Sequence, residues 1–403
     1  MIRGSWIPPV PLAAGAVMGV LSWVLVLAYA AAPSMGLELA WIHTVALGSF
    51  TTIALAVLVH VVPGFTDLRW RGEAIARWCA VLLPFAALGF VASFVLMNVG
   101  GIAWFGTLCA SLAVVYAIVA LVTLRQRTAD PTDAAIARAL GIVMAALAIA
   151  AILGAIAAQA LRTGNGAGLR LAPVHASVAI IGWLTLLTMG VSTRTFRPIL
   201  RSVSRWKVLH IVSNAGMTLC AIGAAIGFAM DASWLVTASF VAGLASGLCY
   251  AVDGFDRVAR ATTPHRPAHV FVAASLTWLL VAIVAALFGR YDVAIAVALA
   301  GWLGQMINAH LHHLGIRVIA TTIAGDDNEA RPWELLDMRL GWIGACAAQA
   351  AVVALAFGIL SGLSTAFAVA GVAGLVFTLA FAANVVHAIG ASRALASDTI
   401  IRL

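Results

Sequence analysis

The chain has 403 residues, of which 63% are hydrophobic and only 9% are charged, and its mean hydropathy is +1.06. A soluble globular domain is excluded, because such domains carry about 25% charged residues. The composition predicts an integral membrane protein. The net charge of +8 requires no nucleic-acid partner, since basic residues also set membrane topology and contact anionic lipids.

Twelve apolar runs follow one another along the chain, and each is near the roughly 20 residues that a membrane-spanning helix needs. The first run is too long, and too poorly matched to a cleavage site, to be a removed signal peptide. We predict an all-α polytopic membrane protein with one transmembrane domain, residues 1–403. The predicted spans are residues 8–31, 37–63, 76–98, 101–124, 135–161, 172–196, 207–229, 233–252, 268–289, 292–317, 340–362 and 365–391.

Basic residues collect at alternate ends of these spans. Lys and Arg resist translocation, and 20 of the 23 basic residues fall at cytoplasmic ends if the N-terminus is inside. Only Arg162, Arg170 and Arg290 then fall outside, so we predict that both termini are cytoplasmic. The cytoplasmic set is Arg3, Arg69, Arg71, Arg77, Arg125, Arg127, Arg138, Arg194, Arg197, Arg201, Arg205, Lys207, Arg257, Arg260, Arg266, Arg317, Arg331, Arg339, Arg393 and Arg402.

Three segments of the even-numbered spans align with one another. They read GSFTTIALAVLVH from Gly48, GWLTLLTMGVSTR from Gly182 and GWLGQMINAHLHH from Gly301. Each begins with glycine and ends twelve residues later in a basic or imidazole side chain, and the glycines are about four spans apart. Such a period predicts internal repeats, here three pseudo-symmetric four-helix units at about 1–130, 131–255 and 256–403.

Two histidines enter equivalent spans from the outer side. His43 lies five residues before Gly48, and His175 lies seven residues before Gly182, so the two imidazoles are expected at a similar depth. Ionisable groups inside a membrane usually face a cavity, a partner or a cofactor. The pair suits the axial positions of a haem or part of a copper site. The alternative is a pair of interfacial histidines hydrogen-bonded to water or headgroups.

The other histidines lie near the inner side. His310 and His313 are three residues apart on one helix face, while His312 points elsewhere, so a second site among His60, His310 and His313 is a candidate. Because histidine is tolerated near cytoplasmic loops, a purely structural role for each of these residues remains open. His265 and His269 are expected to be solvated. The inner-side set is His60, His210, His310, His312, His313 and His387.

Few other ionisable groups enter the predicted spans, and acidic residues, which usually mark a proton or cation path, are nearly absent there. The sequence also has no P-loop, no G-x-S-x-G and no H-E-x-x-H motif. These observations argue against a secondary transporter, an NTPase and the common hydrolases.

The twelve spans in three units, with histidines entering the second and sixth spans from outside, resemble the catalytic subunit of the haem–copper oxidase superfamily. The stretches HTVALGSFTTIALAVLVHVVPGF and HASVAIIGWLTLLTMGVSTRTFRPI are more similar still to the NnrS-type membrane proteins. The resemblance implies haem and copper as cofactors, a link to nitric oxide metabolism, and a place in the bacterial inner membrane. Its motifs cover only the second, sixth and tenth spans.

Under this resemblance, His43 is similar to a ligand of low-spin haem and His175 to a copper ligand. His310 and His312 form an H-x-H on the tenth span, as an oxidase has, but here toward the cytoplasmic end. From Asp292 to His310 a helix rises about 27 Å, so His43 and His312 are not expected to clamp one haem.

Two further features depart from the oxidases. No tyrosine lies one or two turns beyond His175 to serve as a redox-active phenol, and the paired histidines expected on the seventh span are reduced to His210. A complete dioxygen-reducing centre is therefore not expected. Whether the chain is an enzyme stays open; if it is one, a membrane oxidoreductase is the class.

Two functions follow from these patterns. The first is a haem-binding membrane protein, with copper as a further candidate, that transfers electrons or handles nitric oxide or another diatomic gas. Its cofactor ligands would be drawn from His43, His175, His310 and His312, with His60, His210 and His313 as further metal ligands. The second is a cofactor-free transport, assembly or accessory subunit. Expected partners are the lipid bilayer and a redox partner or other membrane subunits.

Overall fold

The computed structural model describes residues 9–126, 128, 130–325 and 331–401. Three of the basic residues on which the predicted orientation depends, Arg3, Arg127 and Arg402, lie outside the described residues, as do positions 326–330 of the loop that is predicted to be cytoplasmic. Within the described ranges, twelve helices are long and apolar enough to cross a membrane, and no strand occurs. The predicted all-α polytopic fold is thereby confirmed.

The twelve helices are labelled α1 to α12 in chain order. Their bounds agree closely with the apolar runs, except that α6 begins six residues before its predicted start and that α8 and α10 each extend seven residues beyond their predicted ends. They are α1 Val10–Ala31, α2 Met35–Thr66, α3 Glu73–Val95, α4 Val99–Leu124, α5 Pro131–Thr163, α6 Gly166–Leu200, α7 Lys207–Ala229, α8 Ser233–Ala259, α9 Arg266–Leu287, α10 Tyr291–Ala324, α11 Met338–Ser361 and α12 Ser364–Ala396.

Helix boundaries follow from capping residues in the short connections. The side chains of Ser34, Asn98 and Asp337 accept hydrogen bonds from backbone amides in the first turns of α2, α4 and α11, which satisfies donors that a helix start leaves unpaired. At the other end, Gly164 (φ 67°) and Gly362 (φ 72°) stop α5 and α11 in the left-handed region, where glycine has no Cβ penalty.

The outer surface of the bundle is apolar. Large hydrophobic side chains such as Phe85 on α3, Leu219 on α7 and Val353 on α11 are exposed. Such a surface suits lipid rather than water, because exposed apolar side chains are disfavoured in water and the helical backbone leaves few polar groups unpaired. The bundle therefore presents a lipid-facing shell around a packed interior.

Successive helices pack side by side, and α1 also packs against α12. α2, α6 and α10 lie inside this ring, and each contains a wider π-helical segment. These segments are Thr44–Thr51, Val178–Thr185 and Val297–Leu303, and they contact one another. π-turns are rare and often occur at functional sites. Each segment includes one of the aligned glycines, Gly48, Gly182 or Gly301, so the repeat seen in sequence has a backbone counterpart.

The two ends of the bundle are named here from the predicted orientation. The outer end carries the starts of the even-numbered helices and the α5–α6 connection. The inner end carries the α2–α3, α6–α7 and α8–α9 connections.

Candidate functional site

His43 and His175 meet at the outer end of the bundle. His43 lies on α2 and His175 on α6, and their ring centroids are 6.5 Å apart with planes inclined by only 10°. The sequence predicted a similar depth for these two histidines, and the structure also brings their rings close together. We call these two residues the outer pair.

Each ring of the outer pair is held by a backbone carbonyl. Nδ1 of His43 lies 2.8 Å from the Leu39 carbonyl oxygen, and Nδ1 of His175 lies 2.8 Å from the Ala150 carbonyl oxygen of α5. A carbonyl oxygen only accepts, so each Nδ1–H is the donor and each Nε2 keeps a lone pair. Within the described part of the chain, no hydrogen bond reaches Nε2 of either ring.

Aromatic rings and a glycine shape the surroundings of the pair. Phe90 and Phe94 of α3 lie with ring centroids 5.1 and 5.0 Å from that of His43. On the other side, a Cβ added at Gly154 of α5 would lie 2.9 Å from Cε1 of His175. Because that distance is closer than real Cβ contacts, glycine at 154 is what allows the His175 ring its position.

The outer pair has the features of two metal ligands. Metal-binding histidines almost always donate their second ring N–H to a carbonyl or carboxylate, as both rings do here. Imidazole nitrogens bind metals at about 2 Å, so two rings on opposite sides of one metal have centroids roughly 6 Å apart. The 6.5 Å separation is close to that value.

Haem fits the pair less directly than a bare metal ion. The ring of Phe94 stacks on the face of His43 with an interplanar angle of 20°, and Phe90 meets the same ring edge-on, so a porphyrin would have to fit among closely packed aromatic side chains. No group of three or more His, Cys, Asp or Glu side chains within the described ranges is arranged to hold a metal ion. Any metal at the outer pair therefore takes its remaining ligands from a macrocycle, water or a small molecule.

His310 points toward α6. Its Nδ1 lies 2.7 Å from the Met306 carbonyl oxygen, and its Nε2 lies 2.6 Å from Oγ1 of Thr195. Both ring nitrogens are thus engaged, and a metal at His310 would have to replace Thr195. His313 lies near Trp333, with ring centroids 6.4 Å apart, while His60 is half-buried on α2.

His312 and His265 form a buried contact at the inner end. Their ring centroids are 5.5 Å apart, and the ring of His312 also packs on Phe271 and Phe381. His310 and His312 consequently face different neighbours, because residues two positions apart point to opposite sides of a helix. The structure does not bring the H-x-H pair together.

The expectation that His265 and His269 are solvated is wrong. Only 5% of His265 and 6% of His269 is exposed, and His269 Nε2 lies 2.6 Å from Oγ1 of Thr263. The reason is that the α8–α9 connection is tied to the end of α6 by the Thr263 hydroxyl, which donates to the Ile199 carbonyl. Burial lowers the pKa of His265 to about 3, so its ring is neutral at pH 7.

His210 belongs to a buried polar network that hydropathy did not reveal. Its Nε2 lies 3.2 Å from Oδ2 of Asp253, which also lies 3.8 Å from Nη1 of Arg257. The Ser204 hydroxyl donates to the same carboxylate at 2.6 Å. Nδ1 of His210 and Nη1 of Arg257 are buried without a hydrogen-bond partner among the described residues.

Acidic residues are thus few within the spans, as expected, and Asp253 is the buried exception that the predicted eighth span left out. The charges of Asp253 and Arg257 ended the apolar run at residue 252, but α8 continues to Ala259. Their four-residue spacing, which places both on one helix face, is the sequence signal that could have revealed the pair.

No protein-family model matches this chain, and no curated protein matches it in sequence. The fold and the site together define a polytopic helical membrane protein with two facing histidines at one end of its bundle.

Proposed function

We propose that the chain is a membrane metalloprotein in which His43 and His175 bind one redox-active metal, copper or haem iron. Its role would be electron transfer or the handling of a diatomic gas such as nitric oxide. The observation that supports this most strongly is the outer pair itself: two nearly parallel imidazoles 6.5 Å apart, each held by a carbonyl in the tautomer that leaves Nε2 available.

Several residues of this chain would serve such a centre. Leu39 and Ala150 fix the two rings through their carbonyls, and Phe90 and Phe94 cover His43 with apolar surface. An apolar shell limits water access and tunes the reduction potential of a bound metal. The metal would supply one-electron chemistry or a ligand position for the gas.

Two further observations support this proposal. Imidazole is a good ligand for both copper and iron, and the resemblance of the second and sixth spans to NnrS-type proteins implies the same two metals. The predicted topology places the outer pair near the outer surface of a bacterial inner membrane. A redox partner or a dissolved gas on that side would reach it without crossing the bundle.

The test is a reduced-minus-oxidised absorption spectrum of the detergent-purified chain, with iron and copper analysis of the same sample. His43→Ala and His175→Ala should each abolish or shift the signal. His387→Ala is the matched control, because His387 is an exposed histidine on α12. Haem bands would assign iron, and copper without haem bands would assign copper. A sample containing neither metal, or signals unchanged in both variants, would falsify the proposal.

A second candidate function rests on the network around Asp253. Ionisable groups buried within membrane-spanning helices commonly mark proton or ion pathways. His210, Asp253 and Arg257 form a buried ionisable group near the inner ends of α7 and α8. A cofactor-free transporter would use this network. Proton movement into liposomes is compared for the wild-type chain and for the folded Asp253→Asn/Arg257→Gln double variant, in which no unpaired Arg257 remains. Loss of movement in the double variant supports this function, and equal rates in the two proteins argue against it.

A further inference from the structure

A second pair of histidines is enclosed at the inner end of the bundle. His265 precedes α9, and His312 lies on α10, with ring centroids 5.5 Å apart and planes inclined by 30°. Only 5% of His265 and 3% of His312 is exposed. We call these two residues the inner pair. It is separate from the outer pair, and the family resemblance does not involve His265.

Both rings of the inner pair have an available nitrogen. Nδ1 of His312 lies 2.9 Å from the Asn308 carbonyl oxygen, so Nδ1–H donates and Nε2 keeps its lone pair. Nε2 of His265 is buried and has no hydrogen-bond partner among the described residues. Because buried polar atoms are nearly always paired, this unpartnered nitrogen points to a ligand that binds there.

A glycine, which has no side chain, lies next to that nitrogen. Gly341 of α11 faces it, and an added Cβ at this position would lie 3.6 Å from Nε2 of His265 and 2.9 Å from Cγ of Pro267. On the far side, Phe271 and Phe381 cover the ring of His312 at centroid distances of 5.4 and 5.1 Å. The surroundings of the two imidazoles are thus closely packed and largely apolar.

The charge of the surroundings restricts the kind of ion. The titratable groups whose charges act on His265 are the imidazoles of His312, His269 and His313, and no carboxylate of the described residues is among them. Arg266 adjoins the site and acts on His269. Without a compensating negative charge, a divalent cation is disfavoured relative to a monovalent one.

We propose that the inner pair binds one Cu(I) ion. Imidazole nitrogen suits copper, and Cu(I) is satisfied by two ligands, whereas structural zinc takes four. The centroid separation of 5.5 Å is a little below the roughly 6 Å expected for rings on opposite sides of a metal, as a bent arrangement gives. This site does not depend on whether the outer pair binds metal.

The experiment uses the full chain with His43→Ala and His175→Ala, so that the outer pair contributes nothing. The purified protein is titrated anaerobically with Cu(I) in competition with a chromogenic Cu(I) chelator. It should bind roughly one Cu(I) per chain, and adding His312→Gln should weaken binding by at least about 10-fold. Adding His387→Gln, the exposed control, should leave binding unchanged.

A second variant distinguishes the loss of a metal ligand from the loss of the folded structure. His265→Met keeps a soft ligand of similar size, so Cu(I) should still bind, and copper X-ray absorption should show a sulfur neighbour that the parent lacks. The same comparison is made in the otherwise wild-type chain if the parent variant does not fold. Absence of bound Cu(I) in the parent, equal binding after His312→Gln, or bound copper without a sulfur neighbour after His265→Met would each overturn the proposal.

Discussion

The indole N–H of Trp183 on α6 donates a hydrogen bond to Oγ1 of Thr51 on α2 at 3.0 Å. The relationship recurs one unit later, where Trp302 on α10 donates to Thr185 on α6 at 3.1 Å. In both cases the tryptophan follows the aligned glycine directly, and the threonine lies three residues after the preceding unit's glycine. The third position differs, because Gly304 replaces threonine there and packs near Phe50.

These bonds hold the centre of the bundle, so Thr51→Val and Thr185→Val should each destabilise the protein. Valine keeps the volume but leaves a buried indole N–H unpaired, which costs about 1–3 kcal/mol. Thermal unfolding in detergent would show the loss. Thr322→Val is the control, because the exposed Thr322 hydroxyl donates only to its own helix, at the Val318 carbonyl. Equal melting temperatures for all three variants would contradict a role for the indole bonds.

Gly154→Ala should weaken metal binding at the outer pair. The new Cβ would lie 2.9 Å from Cε1 of His175, so the ring must shift away from its carbonyl and from His43. Loss of the hydrogen bond that orients a metal-binding histidine typically costs about 10- to 100-fold in metal affinity. The metal content and absorption spectrum of the purified variant are the measurements.

Gly141→Ala provides the matched control on the same helix. Its added Cβ would find nothing closer than Leu121 Cδ2 at 3.9 Å, which is ordinary contact. If both variants retain metal equally, the position of His175 does not govern the site.

Asp253→Asn should be strongly destabilising. The substitution leaves Arg257, whose side chain is only 2% exposed, without its carboxylate, and removing one partner of a buried ion pair costs about 3–5 kcal/mol. Adding Arg257→Gln should recover part of this loss, since the two effects are coupled. The free energy of unfolding in detergent would be compared across the single and double variants.

Asp256→Asn is the appropriate comparison. Asp256 lies in the same helix and pairs with Arg260, but its side chain is 18% exposed, so only a small loss of stability is expected. A similar loss for both aspartates would show that burial of the Asp253 network has no special energetic role.

The predicted topology can be tested by cysteine labelling from one side of the membrane. In a chain whose native cysteines are replaced by alanine, Asn165→Cys in the α5–α6 connection should react with an impermeant maleimide in intact cells. Val203 in the α6–α7 connection is 57% exposed. A cysteine at this position, Val203→Cys, should react only after the cells are permeabilised. The reverse pattern would place the outer pair on the cytoplasmic side.

Hydropathy by itself determined the twelve helices, because crossing hydrocarbon demands long apolar runs whatever the tertiary packing. The run predicted at 340–362 corresponds to helix Met338–Ser361. The similar depth of His43 and His175 was also predictable, since depth depends only on the number of residues from the aligned glycines and the rise of a helix.

The tertiary structure alone decided which side chains of different helices face one another. Sequence spacing cannot tell which rings meet, because this depends on the rotation of each helix about its axis and on its neighbours. The family resemblance grouped His312 with His310 as an H-x-H, whereas His312 meets His265 in the structure. α8 continues through Asp253, which lies against His210 of α7 and Arg257. Both outcomes require contacts between helices, and a hydropathy pattern carries no information about such contacts.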